Sequence, residues 1–304
     1  MRNLKPVRWL IMVLMTQLIA CASIPEASLT QTSPEAQALF DATAAAHGLD
    51  AYRELSDISV AFDGEWFDLI QRIQPILVDV GYRKSSEERL LLNDGLVGQI
   101  HTGPEGEKFV RRLRRDSDGA SERSVTVTYD GNEPSDDVDV LEAAALVADA
   151  YRLFLLAPLY FIDQKTQMEV LTSVTLNGQA MDRLRIRATP GLGPADKDDY
   201  VLYIDREDRL VRRVRFTLEG LASTRGAVVE TDLFDYIERE GVYFPTRYFE
   251  RVRKPIPRLS AHAWQLTGID LDRGMQVDDL SGGQFSGLAA RPAEPLDASE
   301  LASE

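Results

Sequence analysis

The sequence predicts an α+β chain that is mainly β: a strongly curved antiparallel sheet, an unclosed half-barrel, wrapped around an N-terminal helix and a long apolar mid-chain helix. Three observations carry this. From Asp57 onward apolar residues recur mostly at every second position, the period of a half-buried strand. Turn signals, among them Asn93-Asp94-Gly95 and Asn177-Gly178, separate these runs at hairpin spacing. Residues 138–157 alone interrupt the pattern with a helical stripe too apolar for a surface helix.

The N-terminus reads differently. Arg2, Lys5 and Arg8 precede the apolar run WLIMVLMTQLI at 9–19, and small residues follow it. A basic head, a short apolar stretch and a small-residue end describe a secretory signal peptide over 1–20. The run is shorter than the roughly 20 residues a membrane span needs. Cys21 is the only cysteine of the 304 residues, so no internal disulfide is available and the core must hold the fold. Residues 21–32 are short, polar and small, as in a tether.

A domain over 33–280 follows. Ser33-Pro34-Glu35 opens a helix with a capping serine, a proline at its first position and an acid in its first turn. Gly48 closes it. Strand-like runs cover 58–62, 89–92, 97–101, 109–114 and 124–129. Asp136, Asp137 and Asp139 stand where the mid-chain helix begins, favourable to its dipole, and Pro158 ends it. Strands resume over 168–176, 179–187, 200–205, 210–219, 228–238, 247–253 and 261–270. Leu184, Ile186 and Ala188 alternate with Arg183, Arg185 and Arg187, as on a sheet with one dry and one wet face. About ten strands in one sheet curl strongly. Residues 281–304, rich in Gly, Ala, Pro and Glu, read as a disordered tail.

Charge and motifs narrow the function. The formal charge is −15, and −18 without residues 1–20. Such a body is repelled by nucleic-acid backbones, which excludes nucleic acid as a partner. His47, His101 and His262 lie far apart without ligand spacing, so no metal is expected. Asp136, Asp137 and Asp139, and Asp196, Asp198 and Asp199, lack a calcium-loop pattern and suit caps and turns. Gly283-Gln284-Phe285-Ser286-Gly287 places its serine one position late for a hydrolase elbow. No nucleotide-binding glycine loop is present, no cofactor is implied, and no nucleophile and base can be paired. The chain is therefore not expected to be an enzyme. Phe62, Trp66, Phe109, Tyr151, Phe154, Phe161, Tyr203, Phe216 and Trp264 either line an apolar ligand cavity or pack a filled core; spacing does not separate the two.

Two resemblances add to this reading. Leu18-Ile19-Ala20-Cys21 resembles the bacterial lipobox, which implies that Cys21 becomes the lipidated first residue of the mature chain. Ala22 in place of Asp then implies the outer membrane, facing the periplasm, with the membrane as partner through that anchor. Three further stretches resemble the LolA/LolB-like superfamily of outer-membrane lipoprotein-sorting proteins: Ala46-His47-Gly48-Leu49-Asp50-Ala51-Tyr52; Tyr200-Val201-Leu202-Tyr203-Ile204-Asp205 with Leu210-Val211; and Asp235-Tyr236 with Gly241-Val242-Tyr243-Phe244-Pro245-Thr246. That resemblance implies a half-barrel sheltering a lipid, an acyl chain or another apolar ligand. The alternative is a non-catalytic envelope scaffold that docks a protein partner and has a filled core.

Overall fold

A computed structural model describes residues 24–25, 29–117, 120–281, 285 and 290–293. Cys21 and the expected signal peptide lie outside the described residues.

Helix α1 (Pro34–Ala46) starts where expected: the Ser33 hydroxyl accepts the Ala36 N–H at 3.1 Å, and Pro34 occupies the first turn. It buries Ala36, Phe40, Thr43 and Ala44. Gly48, at φ 84°, turns the chain into α2 (Leu49–Glu54). The strands are β1 (Asp57–Trp66), β2 (Ser85–Leu91), β3 (Leu96–Gly103), β4 (Gly106–Ser117) and β5 (Ala120–Tyr129), then β6 (Lys165–Leu176), β7 (Gln179–Thr189), β8 (Asp198–Asp205), β9 (Val211–Leu218), β10 (Ala227–Arg239), β11 (Val242–Lys254) and β12 (Leu259–Leu271).

They form one twelve-stranded antiparallel sheet in the order β5-β4-β3-β2-β1-β12-β11-β10-β9-β8-β7-β6. The sheet does not close, because β5 and β6 are its two edges. Chain order explains this: two meanders, β1–β5 and β6–β12, are zipped together by β1 against β12. The link between the edges is α5 (Val138–Leu156), capped by Asp137, whose carboxylate accepts the Asp139 and Val140 N–H groups. Its 153–156 turn is fully buried, and a 3-10 turn (Leu159–Phe161) continues that core. Among the described residues no helix is long and apolar enough to cross a membrane.

One face of the sheet packs on the helices. Val60, Leu90, Val97, Leu184, Ile186, Leu202, Val214 and Phe216 share a core with Phe40 of α1 and Leu153 and Phe154 of α5. The opposite face differs from the expected solvated one. Arg185 pairs with Glu169 at 2.8 Å, and Arg215 with Glu230 at 2.8 Å; both arginines are buried. The long side chains pair across the strands, and their apolar stems shield one another from water.

Several expectations need correction. The sheet has twelve strands. Strand β2 begins at Ser85 and β11 at Val242, earlier than alternation indicates. Pro245 is tolerated in β11 because only β10 pairs there; pairing to β12 starts at Arg247. Two short helices that the pattern did not announce, α3 (Asp68–Ile73) and α4 (Pro75–Val78), follow β1. Part of the expected tail is ordered against the sheet: the Ile269 N–H donates to the Arg291 carbonyl at 2.7 Å, and that of Ala293 to Thr267 at 3.2 Å.

A candidate apolar cavity beneath the mid-chain helix

The three stretches quoted for the family resemblance meet in space. The Val211 N–H donates to His47 Nε2 at 3.1 Å, and the Tyr243 N–H to the His47 carbonyl at 3.2 Å. The Tyr236 hydroxyl donates to the Val211 carbonyl at 2.5 Å, its ring edge-on to His47. Burial, followed by the Arg212 charge, lowers the His47 pKa to about 3, so the imidazole is a neutral acceptor. His47 is a joint between helix and sheet, not a ligand.

Under α5 lies a cavity of about 220 Å³. One stripe of the helix faces it, Leu146, Val147, Ala150, Tyr151 and Phe154, at the i, i+4, i+8 spacing of a single face. The sheet supplies Phe216, Val229, Val252, Trp264 and others, and α3 and α4 supply Ile70, Ile73 and Leu77. Ile73 and Ile256 line it and are also exposed, so it opens between α3 and the β11–β12 turn. Leu69, Ile76 and Val80 are exposed on the same α3–α4 segment.

Part of one wall is a stack of rings, of which Trp66, His262 and Trp264 line the cavity and Tyr248 stands behind them. Trp66 and His262 lie face to face with centroids 3.9 Å apart, His262 and Trp264 follow at 4.5 Å, and Trp264 and Tyr248 at 4.8 Å. Register makes the stack: Trp66 is opposite His262 across β1–β12, and Tyr248 is opposite Trp264 across β11–β12. Burial and the Arg83 charge hold His262 well below its usual pKa, so the ring stacks uncharged.

Polar groups gather at the same end. Arg83 lines the cavity and is 5% exposed, its guanidinium 4.8 Å from the Trp66 ring centre. Glu250 and His262 also line it. Glu88 stands behind, accepting the Ser86 hydroxyl at 3.0 Å. Burial pushes both Glu88 and Glu250 up to about 7, and Arg83 offsets part of that. His101 is held well below its usual pKa, first by burial and then by Arg83 and Lys108. The Ser86 hydroxyl is thus spent on a carboxylate, and neither Ser86 nor His101 lines the cavity.

Of the nine aromatic candidates, Trp66, Tyr151, Phe154, Phe216 and Trp264 line the cavity. Phe62 sits outside it, edge-on to Tyr151 and Tyr248. Phe161 is packed solid against Tyr200 at 5.0 Å. Phe109 and Tyr203 do not belong to this face. Strand alternation turns their neighbours Val110 and Leu202 inward, leaving Phe109 against Phe285 and Tyr203 among Arg183, Arg213 and Arg215. Arg83, Glu250 and His262 escaped the sequence reading. The spacing of His262 to Trp264 was a signal, since residues two apart share a strand face.

Among the described residues no group of three or more His, Cys, Asp or Glu is placed to hold a metal ion. The two aspartate clusters are absorbed structurally: Asp137 caps α5, and Asp198 accepts the Leu192 N–H at 2.8 Å and the Thr217 hydroxyl at 2.8 Å.

No protein-family model matches the chain, and no curated protein sequence matches it. Solved structures are similar to it over most of its length. A protein of the DUF1329 family from Desulfovibrio piger is 11% identical, covering 83% of this chain and 100% of that one, with a TM-score of 0.49. A domain described as outer membrane lipoprotein-sorting, from Vibrio parahaemolyticus, is 10% identical over 81% and 97%, with a TM-score of 0.48. A LolA superfamily protein from Nitrosomonas europaea is 10% identical over 81% and 97%, with a TM-score of 0.46.

Proposed function

We propose that this chain is a non-enzymatic lipoprotein of the bacterial envelope that shelters an acyl chain or another apolar ligand beneath α5. The single observation that carries the reading is the cavity of about 220 Å³, walled by apolar and aromatic side chains and open between Ile73 and Ile256. Ligand sites commonly hold about 300–1,000 Å³. A space below that range suits one narrow chain whose remainder emerges through the mouth. Lipidated Cys21 would hold the protein at the outer membrane, facing the periplasm, where such ligands are found. Two or more acyl chains make a stable anchor, whereas one does not.

Native mass spectrometry of the gently extracted full chain tests the reading. A copurifying lipid mass is expected, and it should be lost when Ala150, which lines the cavity, is changed to Phe. An empty protein that also ignores added apolar probes refutes it. Cys21→Ser should move the folded protein from the membrane to the soluble fraction; unchanged fractionation removes the anchor. The scaffold reading draws on the filled half of the interior, where Phe161, Tyr200, Leu153, Leu155 and Leu156 are fully buried and line no part of the cavity. It predicts a crosslinked protein partner and no lipid.

A further inference from the structure

Arg83 is the least expected residue in an apolar cavity. It lies in the short link before β2, tied down by its own neighbourhood: Nη1 donates to the Leu77 carbonyl at 2.6 Å and Nη2 reaches the Tyr151 hydroxyl at 3.5 Å. Its Nε is buried without a partner, as is Nε1 of the neighbouring Trp66. A guanidinium carries five N–H donors and keeps its charge inside proteins. Among the described residues no carboxylate oxygen comes within the 4.0 Å of an ion pair with it. The other buried arginines of this chain are treated differently. Arg112 and Arg114 share Asp149, Arg185 has Glu169, and Arg215 has Glu230.

Glu88 and Glu250 feel the charge of Arg83, and neither forms an ion pair with it. The remaining groups about it do not supply an anion: His101 and His262 are neutral, and Lys108 is cationic and committed to Asp79 at 2.6 Å. A buried cation with unfilled donors at the end of an apolar space lacks one thing, an anionic acceptor. Burying a charge is tolerated when it is paired and hydrogen-bonded.

We propose that the cavity's ligand is an anionic single-chain amphiphile, an acyl chain ending in a carboxylate, whose head is taken by Arg83 while its chain runs along Tyr151, Phe154 and Phe216 toward the mouth. The proposal rests on the sheltering function above and specifies its ligand class. The stacked rings of Trp66, His262 and Trp264 form the adjoining wall, and Glu250 acts against the anion, limiting affinity so that the ligand can be released.

The test compares decanoate with decan-1-ol, both below their aggregation limits, by titration calorimetry on the full chain. The two share a chain and differ in head charge. Decanoate is expected to bind at least about tenfold more tightly, the value of one charge-assisted hydrogen bond. Arg83→Gln should erase that preference and keep decan-1-ol binding. Glu250→Gln should widen the preference for decanoate over decan-1-ol severalfold. If Arg83→Gln does not fold, the preference of the unaltered chain and the Glu250→Gln result decide. Equal binding of the two probes overturns the anionic head and leaves the apolar shelter standing. Binding of neither overturns the shelter itself, and this proposal with it.

Discussion

Asp149→Asn removes one charge from the only acid on the inward side of α5's middle turns and keeps the side-chain shape. Asp149 is 3% exposed. It accepts Arg112 Nε at 3.1 Å, Arg112 Nη2 at 2.9 Å, Arg114 Nη1 at 3.4 Å and the Gly193 N–H at 2.8 Å. An amide offers one oxygen and turns an NH₂ toward a guanidinium, so the bidentate pair with Arg112 is broken. With the amide oxygen in the place of Oδ2, Arg112 loses the Nε bond and its counter-charge, and keeps one neutral acceptor beside the Gly193 and Ser124 carbonyls, at 3.3 and 3.5 Å. Removing one partner of a buried ion pair costs about 3–5 kcal/mol. The lower end applies, because Arg114 retains the Tyr160 hydroxyl at 2.7 Å and the Pro190 carbonyl at 2.8 Å. A loss of about 3 kcal/mol is on the order of 100-fold in the folding equilibrium. Urea unfolding at pH 7, followed by tryptophan fluorescence, should show a lower midpoint at unchanged slope. Burial opposes the charge on Asp149, but Arg112 and Arg114 outweigh it and hold the carboxyl below its usual value of 3.8. Its contribution is therefore complete above the unfolded value and lost as pH falls through the lower, folded one, so the gap between the proteins should narrow below about pH 3.8. A loss under about 1 kcal/mol, or a gap that persists in acid, would refute the assignment.

Gly48→Ala should destabilise by more than about 2 kcal/mol in the same assay: φ is 84° and an added Cβ would stand 1.9 Å from the Gly241 carbonyl oxygen. Gly178→Ala, at φ 89° but facing open space, should lose only the roughly 1–2 kcal/mol of the left-handed backbone; equal losses at the two sites would discount the contact. Glu88 has a folded pKa raised by burial from 4.5 to about 7, so between those values the folded state holds the extra proton and stability falls as pH rises. Glu88→Gln should flatten that slope and be the more stable protein at pH 8; a parallel pH profile would show that Glu88 does not titrate in this window.

The sequence makes the elements legible because each obeys one local rule. Asn177 and Gly178 both take positive φ, at 50° and 89°, as their hairpin turn demands, and α5 ends at Leu156 beside Pro158. The site was less legible because it violates such rules. Strand β2, Ser85–Leu91, is polar on both faces in its first half, since Ser86 and Glu88 point into the molecule, so alternation starts only at Arg89. The face assignment of an aromatic residue depends on register, and a one-residue difference decides it. That is why Phe109 and Tyr203 fall outside while Phe216 falls inside. Arg83 belongs to no strand at all, and the pairing of β1 with β12 sets His262 against the Trp66 ring over which its guanidinium lies.

The buried ion pair and the cavity are two sides of one helix. Successive α-helical residues are about 100° apart, so Asp149 stands nearly opposite both Val147 and Tyr151. With Asp149 fixed between Arg112 and Arg114 on β4, the stripe of Leu146, Ala150, Tyr151 and Phe154 can face only the cavity. Apolar contacts alone would not enforce this. Ala143, Ala144, Ala145 and Ala148 are all buried, and their small side chains distinguish one face of α5 from another only weakly. Turning the helix by one residue would put an alanine before two arginines and drive a carboxylate into an apolar wall, a change that costs several kcal/mol. The ion pair is thus the device that fixes the rotation of α5. Fixing it keeps Ala150, the smallest residue of the stripe, where a larger side chain would fill the space.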